Sequence, residues 1–126
     1  MSAETALREV ARSTLDPWQS LVEIRVEAPD DLVSAHVAQA VSDVLEECVA
    51  NAFRHGRASE ITCALEVQER EVRVRVQDNG RGSASPEGDP GLGSRILDRS
   101  STWTRTSGPE GTTVVALVPL TPTLDE

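Results

Sequence analysis

A predicted long helix ends on the stretch EECVANAFRH at positions 46–55. Apolar residues recur upstream of this stretch at helical spacing, so we place the helix from about Leu32 to His55. The stripe that faces the core would comprise Val37, Val41, Val44, Leu45 and Cys48. Gly56 stands directly after the helix, where a C-terminal glycine cap belongs. The stretch therefore closes the main core helix of the domain.

Three polar side chains of this stretch lie close to the apolar stripe. At about 100° per residue, Glu47 and Asn51 fall on one edge of the stripe and Arg54 lies near them. Polar groups on a core-facing edge cost free energy unless they are paired or face a site. Glu47 is also explained as the rim of a solvated face, so the helix alone leaves both interpretations open.

Two elements are predicted before the long helix. Apolar residues at helical spacing predict a short helix over Ala3 to Thr14, which ends at Asp16-Pro17 because proline disfavours helix in the residue before it. Its apolar stripe is thin, as in the last part of a longer helix. The segment from Leu21 to Glu27 alternates apolar and polar residues, which predicts an antiparallel strand with one buried face.

The rest of the chain has the alternation of a β-sheet. Residues 61–67 and 72–76 alternate apolar with polar side chains, and the polar connection at 68–71 predicts a hairpin between them. Further strands are predicted at 103–106 and 112–118, and a short helix at 94–100. This arrangement predicts an α+β fold, a two-layer α/β sandwich with a mixed, mainly antiparallel sheet and helices on one face.

The composition restricts the possible functions. The 126 residues carry 12 basic and 21 acidic side chains, a formal charge of −9, and every basic one is arginine. Nucleic-acid and membrane binders need a basic surface, so neither nucleic acid nor membrane is an expected partner. Cys48 and Cys63 lie in apolar segments and are expected to be reduced core residues rather than zinc ligands. The first residues contain no signal-peptide run, which predicts a cytoplasmic location.

Two glycine-containing segments lie between the predicted strands. Asp78-Asn79-Gly80-Arg81-Gly82 directly follows an apolar strand, and Gly91-Leu92-Gly93 precedes the short predicted helix. Both are explained as turns, since Asp, Asn and Gly are typical turn residues. Glycines before a helix also let backbone amides approach a phosphate. Each segment alone is compatible with a turn or with a nucleotide site.

The order and spacing of four segments resemble the histidine-kinase-like ATPase superfamily. Glu47-x-x-x-Asn51-Ala52-x-Arg54-His55 is similar to its N box, and Asp78-Asn79-Gly80-Arg81-Gly82 is similar to its D-x-G-x-G box. Gly91-Leu92-Gly93 is similar to the later glycine box, and Gly111-Thr112-Thr113 to the glycine–threonine element before the last strand. The chain most resembles the catalytic ATP-binding domain of a sensor histidine kinase, which implies the Bergerat-type fold of that family.

The resemblance implies roles on the phosphate side of a bound nucleotide. Asn51 would bind the Mg²⁺ that bridges the ATP phosphates, and Glu47 would be the acid–base or water-positioning residue. Arg54 and His55 would lie towards the phosphates, although His55 is equally explained by a favourable interaction with the helix dipole. The lid backbone would reach the phosphates through Gly91, Leu92 and Gly93.

The resemblance also implies roles on the base side. Asp78 would accept a hydrogen bond from the adenine amino group. This bond would discriminate against guanine, because the guanine carbonyl would face a carboxylate lone pair. Gly80 and Gly82 would leave room for the base, and Thr112 or Thr113 would make a further contact near the adenine pocket.

The same resemblance implies the domain organisation and the activity. Residues 1–20 would be a lead-in helix or linker, 21–120 the ATP-binding catalytic domain, and 121–126 a tail. The domain would bind Mg-ATP and donate the γ-phosphate to a histidine on a separate dimerisation domain, with a response regulator as the next partner. Two alternatives are a free-standing anti-sigma-type serine kinase that binds a sigma factor, and a degenerate domain that binds nucleotide without turnover. The predicted lid is short, with eight residues between Gly82 and Gly91, which disfavours the anti-sigma alternative.

Overall fold

Helices pack on one side of a β-sheet in this chain. The computed structural model describes residues 4–54, 58–80, 101–109 and 111–120. Its elements in chain order are β1 (Glu4–Ala6), α1 (Leu7–Leu15), a 3₁₀ turn (Asp16–Trp18), β2 (Glu23–Glu27), β3 (Leu32–Ser34), α2 (Ala35–Arg54), β4 (Glu60–Val67), β5 (Glu71–Asp78), β6 (Thr102–Gly108) and β7 (Gly111–Pro119). The predicted α+β class is confirmed. The helix expected at 94–100 and the cap expected at Gly56 lie outside the described residues.

The main sheet is mixed. Its strands lie in the order β2-β4-β5-β7-β6. Strand β2 runs parallel to β4, whereas the other neighbouring strands are antiparallel. The expectation of an antiparallel strand at Leu21 to Glu27 is therefore wrong in direction. Helix α2 lies between β2 and β4 in the chain and carries the chain back to the end of the sheet where β2 began, so β4 runs parallel to β2. The prediction of a mixed, mainly antiparallel sheet is confirmed.

Helix α2 begins at Ala35 instead of the expected Leu32. The segment Leu32–Ser34 forms β3, which pairs antiparallel with β1. The Ser34 hydroxyl accepts a hydrogen bond from the Val37 N–H at 3.2 Å, which is the usual cap at a helix N-terminus. The cap and the strand pairing fix the start of the helix. The pairing joins residues that are about 28 positions apart in the chain, so no local sequence pattern predicts it.

Helix α1 packs against α2. It ends at Leu15, directly before Asp16-Pro17, which confirms the predicted stop. The expected start at Ala3 is wrong: the helix begins at Leu7, because Glu4–Ala6 pair with β3 as strand β1. Its apolar face is buried in the common core through Leu7, Val10, Ala11 and Leu15. The hydroxyls of Thr14 and Ser42 are hydrogen-bonded at 2.8 Å and join the two helices. The stripe that is thin in the sequence is therefore a complete packing face, while the domain boundaries at residues 20 and 120 stay predictions.

The core lies between the helices and one face of the sheet. The predicted stripe of α2 is buried along its whole length, at Val37, Val41, Val44, Leu45 and Cys48. Alternate residues of the three central strands face it, namely Ile61, Cys63, Leu65, Val72, Val74, Val76, Val114, Ala116 and Val118. The hairpin predicted at 68–71 is confirmed, since the Gln68 N–H donates to the Glu71 carbonyl at 2.8 Å. Neither helix within the described ranges has the length and apolarity that crossing a bilayer requires.

Candidate functional site

Three strand ends and the end of α2 meet at one end of the sheet. Asp78, the last residue of β5, pairs with Ile61 of β4 on one side and with Thr112 of β7 on the other. Helix α2 packs on β5 and β7, and the Ala58 N–H donates to the carbonyl of Ala52 at 3.1 Å where the chain leaves the helix for β4. The topology therefore brings the last turns of α2 to the strand end that carries Asp78.

The carboxylate of Asp78 is buried at this end. Asp78 is 8% exposed, and its Oδ1 accepts a hydrogen bond from the Gly80 N–H at 2.8 Å. Gly80 is buried as well. A buried carboxylate is stable only with hydrogen-bond donors around it, and it has more acceptor positions than this one bond fills. Asp78 can therefore accept a further donor from a ligand.

Asn79 connects the end of β5 to the start of β4. Its Oδ1 accepts hydrogen bonds from the N–H groups of Ser59 and Glu60, both at 3.0 Å. Its Nδ2 donates to the Ser59 hydroxyl at 3.1 Å, and its own N–H donates to the Glu60 carbonyl at 3.2 Å. Sequence reasoning assigned no role to Asn79. Its position between Asp78 and Gly80 indicated only turn chemistry, and its partners lie about twenty residues away.

Gly111 is the second residue that sequence reasoning did not select as a site residue. It begins β7 with φ +136°, a conformation that favours glycine. A Cβ atom at this position would collide with the backbone carbonyl of Asp78. The absence of a side chain therefore lets β7 start directly against the site. We call Asp78, Asn79, Gly80, Ser59 and Gly111 the strand-end region.

Thr112 and Thr113 follow Gly111 and are half-buried. Thr112 lies opposite Asp78 and Thr113 opposite Gln77 in the β5–β7 register. The Thr112 hydroxyl is also hydrogen-bonded to that of Ser107 at 3.0 Å, which ties it to β6. Both predicted threonines therefore lie at the strand end, with Thr112 directly beside Asp78.

The last turns of α2 carry the predicted polar residues of the helix. Glu47 and Asn51 are half-buried and one turn apart, so they share a face of the helix. Arg54, the last residue of α2, is exposed. We call Glu47 to Arg54 the helix-end region. Within the part of the chain that the structure describes, the side chains of Glu47, Asn51 and Arg54 make no hydrogen bond or ion pair.

The Cys48 thiol shows that the two regions are electrostatically close. Its pKa is raised to about 12, mainly by burial and in addition by the charges of Cys63, Glu47 and Asp78. Burial likewise raises the pKa of Cys63 to about 12. Both cysteines are free and buried, as predicted. One carboxylate from each region, Glu47 and Asp78, therefore contributes to the shift at Cys48.

The remaining predicted residues cannot be placed. His55, Gly82, Gly91, Leu92 and Gly93 lie outside the described residues. Among the residues that are described, no group of three or more His, Cys, Asp or Glu side chains is arranged to hold a metal ion.

A groove lies beside β2. Its volume is about 500 Å³, and it is lined by Arg8, Arg12, Gln19, Val26, Glu27 and Ala28. None of the residues predicted to bind nucleotide lines this groove.

Comparison with known proteins identifies the family. A profile of the family described as "Histidine kinase-, DNA gyrase B-, and HSP90-like ATPase" matches residues 36–122. Over 78 residues the chain is 30% identical to the sensor histidine kinase LiaS of Bacillus subtilis (strain 168), a match that covers 60% of this chain and 22% of LiaS. The chain thus spans about a fifth of the length of that relative.

Solved structures share the fold. The histidine kinase domain of the blue-light activated histidine kinase from Erythrobacter litoralis EL346 is 26% identical, with a TM-score of 0.70, and the match covers 90% of this chain and 63% of that one. The catalytic domain of histidine kinase ThkA has a TM-score of 0.74 at 19% identity, with 97% of this chain and 99% of that chain covered.

These relatives favour the sensor-kinase hypothesis over the anti-sigma alternative. The motif residues that the structure describes converge on one end of the sheet, and the family profile covers the same segments. The chain belongs to the histidine kinase-, DNA gyrase B- and HSP90-like ATPase family, and within it the chain is similar to the ATP-binding domains of sensor histidine kinases.

Proposed function

We propose that the chain binds Mg-ATP across the strand-end and helix-end regions and donates the γ-phosphate to a histidine on a separate dimerisation domain. The observation that carries the proposal is the buried Asp78 carboxylate, which accepts a hydrogen bond from the Gly80 N–H. The Asp78 backbone carbonyl lies directly against Gly111, and α2 ends at the same end of the sheet with Glu47 and Asn51 in its last turns. The strand-end region would receive the base and the helix-end region the phosphates.

Asp78 would select adenine. Its carboxylate accepts hydrogen bonds only, so it can pair with the amino group of adenine but not with the carbonyl that guanine carries in the same position. Burial makes the discrimination strong, since an unpaired or repelled polar group costs more in a low-dielectric environment. The buried Gly80 would leave the space that the flat base needs, and Gly82 would extend it.

Asn51 would hold Mg²⁺ through its amide oxygen. The residues present fit this cation, because Mg²⁺ commonly takes few protein ligands and completes its shell with substrate phosphates and water. When bound, the cation neutralises part of the phosphate charge. Arg54 and His55 would add positive charge or donors towards the phosphates, and the backbone of Gly91, Leu92 and Gly93 would close over them.

Glu47 would act on the attacking group. It lies one helical turn before Asn51 on the same face of α2, so its carboxylate can approach the γ-phosphate while the amide of Asn51 faces the cation. A carboxylate in this place can accept a proton from the attacking nitrogen or orient it. Thr112 or Thr113 would contribute a contact at the base.

The partners follow from the kind of protein to which the relatives belong. Because the relatives are sensor histidine kinases, we propose that a phospho-acceptor histidine domain receives the phosphate and that a response regulator takes it next. The cytoplasm, where ATP is kept, is the compartment in which the domain would work.

A phosphotransfer assay tests the proposal. The chain is mixed with radiolabelled ATP, with and without Mg²⁺, and with the dimerisation domain of a sensor kinase as acceptor. We expect acid-labile, alkali-stable phosphate on the acceptor histidine and none when Glu47→Gln replaces the wild type. Phosphate that survives acid would identify serine as the acceptor and contradict the proposal, as would a wild-type chain that binds no Mg-ATP in titration calorimetry.

A further inference from the structure

The rings of Trp18 and Phe53 are in contact. Trp18 ends the 3₁₀ turn that follows α1, and Phe53 lies in the last turn of α2. Their ring centroids are 5.9 Å apart at an interplanar angle of 63°, an edge-to-face arrangement. Both rings are half-buried and pack against the core. The contact therefore joins the segment between α1 and β2 to the helix-end region.

The last turn of α2 depends on such support. The final carbonyl groups of a helix have no partner within the helix, so its end is the part that is least fixed by its own hydrogen bonds. Phe53 lies between Asn51 and Arg54 in sequence. A ring held in one orientation at Phe53 fixes the rotation of this turn about the helix axis, and so the direction in which Asn51 and Arg54 project.

Trp18 is itself held in place. Its carbonyl accepts hydrogen bonds from the N–H groups of Leu21 at 2.9 Å and Val22 at 3.1 Å, so the chain turns tightly around it. Pro17 before it restricts the backbone. Just beyond the turn, the Glu23 N–H donates to the Ser59 carbonyl at 3.1 Å.

The same segment thus contacts both sides of the site. It reaches the helix-end region through the two rings, and it reaches the strand-end region through Ser59, which is bonded to Asn79. We infer that Trp18 is a positioning residue for the phosphate side of the nucleotide site and acts through Phe53. This inference rests on the proposed function, because it assigns Asn51 to the cation.

The test compares affinity for ATP with and without Mg²⁺. Trp18→Leu should lower the affinity for Mg-ATP about three- to tenfold, the range that an aromatic pair supplies. Its affinity for ATP in EDTA should fall clearly less, because the base contacts at Asp78 remain and the contribution of the cation at Asn51 is absent. Trp103→Leu is the matched control, since Trp103 lies opposite Ala116, towards the other end of the β6–β7 hairpin from Thr112. This control should leave both affinities unchanged.

Further variants separate positioning from general stability. Trp18→Phe keeps an aromatic ring and should restore most of the Mg²⁺-dependent affinity. Phe53→Leu should reproduce the Trp18→Leu effect, and the double variant should be no worse than either. If Trp18→Leu does not fold, Trp18→Phe and Phe53→Leu still test the inference.

The outcomes distinguish the inference from the proposed function. A wild-type chain that binds no ATP overturns the proposed function and the inference with it. A wild-type chain that binds Mg-ATP, with Trp18→Leu and Phe53→Leu equal to it, overturns the inference alone. Equal losses with and without Mg²⁺ also overturn it, because they indicate a merely structural role.

Discussion

The strand-end region and the helix-end region are held by different forces. In the strand-end region, Asp78 and Asn79 are fixed by hydrogen bonds to backbone groups of Gly80, Ser59 and Glu60. In the helix-end region, the side chains of Glu47, Asn51 and Arg54 make no such bond within the described part of the chain, and the support is the packing of Phe53 on Trp18.

Under the proposed function, this difference corresponds to two tasks. A base-binding acceptor must keep one position to distinguish adenine from guanine, and backbone hydrogen bonds provide that precision. Groups that meet phosphates and a cation can adjust as the ligand binds, so side-chain packing is sufficient there. We therefore expect mutations in the strand-end region to cost stability, and mutations in the helix-end region to cost binding without unfolding the domain.

The largest expected effect on stability belongs to Gly111→Ala. The added Cβ atom would collide with the Asp78 carbonyl, and φ +136° is strained for alanine. We expect the free energy of unfolding to fall by about 3 kcal/mol in urea denaturation. Gly108→Ala is the matched control, because a Cβ atom there meets nothing within 4 Å. Equal stability of the two variants would contradict the close approach of β7 to Asp78.

Asn79→Ala should have the next largest effect. It removes three side-chain hydrogen bonds that join the end of β5 to Ser59 and Glu60. The free energy of unfolding should fall by about 2 kcal/mol, since each bond contributes roughly 0.5–1.5 kcal/mol. Gln77→Ala, two residues earlier on the exposed face, should change it little. If both variants lose the same free energy of unfolding, the side-chain hydrogen bonds of Asn79 do not stabilise the end of β5.

The Cys48 thiol, which is buried in the helix-end region, gives a pH-dependent effect. Its pKa of about 12 in the folded state is above the ordinary value of 9.0, so the folded protein keeps a proton that the unfolded chain releases. This contribution to stability is complete below pH 9 and is lost as the pH rises towards 12. Between pH 8 and pH 10, the wild type should lose about 1.4 kcal/mol more than Cys48→Ala. Identical pH profiles would contradict the burial of this thiol.

Asn51→Ala should have the smallest effect on stability. Its side chain makes no hydrogen bond with the described residues, so the free energy of unfolding should change by less than about 0.5 kcal/mol. The affinity for ATP should no longer depend on Mg²⁺ in titration calorimetry. A large loss of stability, or an unchanged Mg²⁺ dependence, would remove the contrast between the two regions.

Local patterns in the sequence predicted much of the fold. The core stripe of α2 and the alternation in β4, β5 and β7 follow from the periodicity of apolar residues, and the structure confirms both. The direction of β2 was not predictable in this way, because alternation is the same in parallel and antiparallel strands. The start of α2 depends on pairing between β1 and β3, which no local pattern contains.

The candidate site shows the same division. Motif spacing identified Glu47, Asn51, Asp78 and Thr112, which the topology brings to one end of the sheet. Sequence reasoning gave Asn79 and Gly111 no site role, because their importance arises from contacts with Ser59 and with the Asp78 carbonyl that form only in the folded chain. Spacing selects residues that are expected to meet a ligand, whereas the residues that support them are identified only from long-range contacts in the structure.

The central claim is that Asp78 recognises adenine, and calorimetric titration with ATP tests it most directly. Asp78→Asn keeps an oxygen that can accept from the Gly80 N–H, so the variant should fold, but it should bind ATP at least about a hundredfold more weakly. Asp31→Asn makes the same chemical change at an exposed position and should bind ATP like the wild type. If Asp78→Asn folds and binds ATP as tightly as the wild type, Asp78 does not recognise the base and the account is wrong.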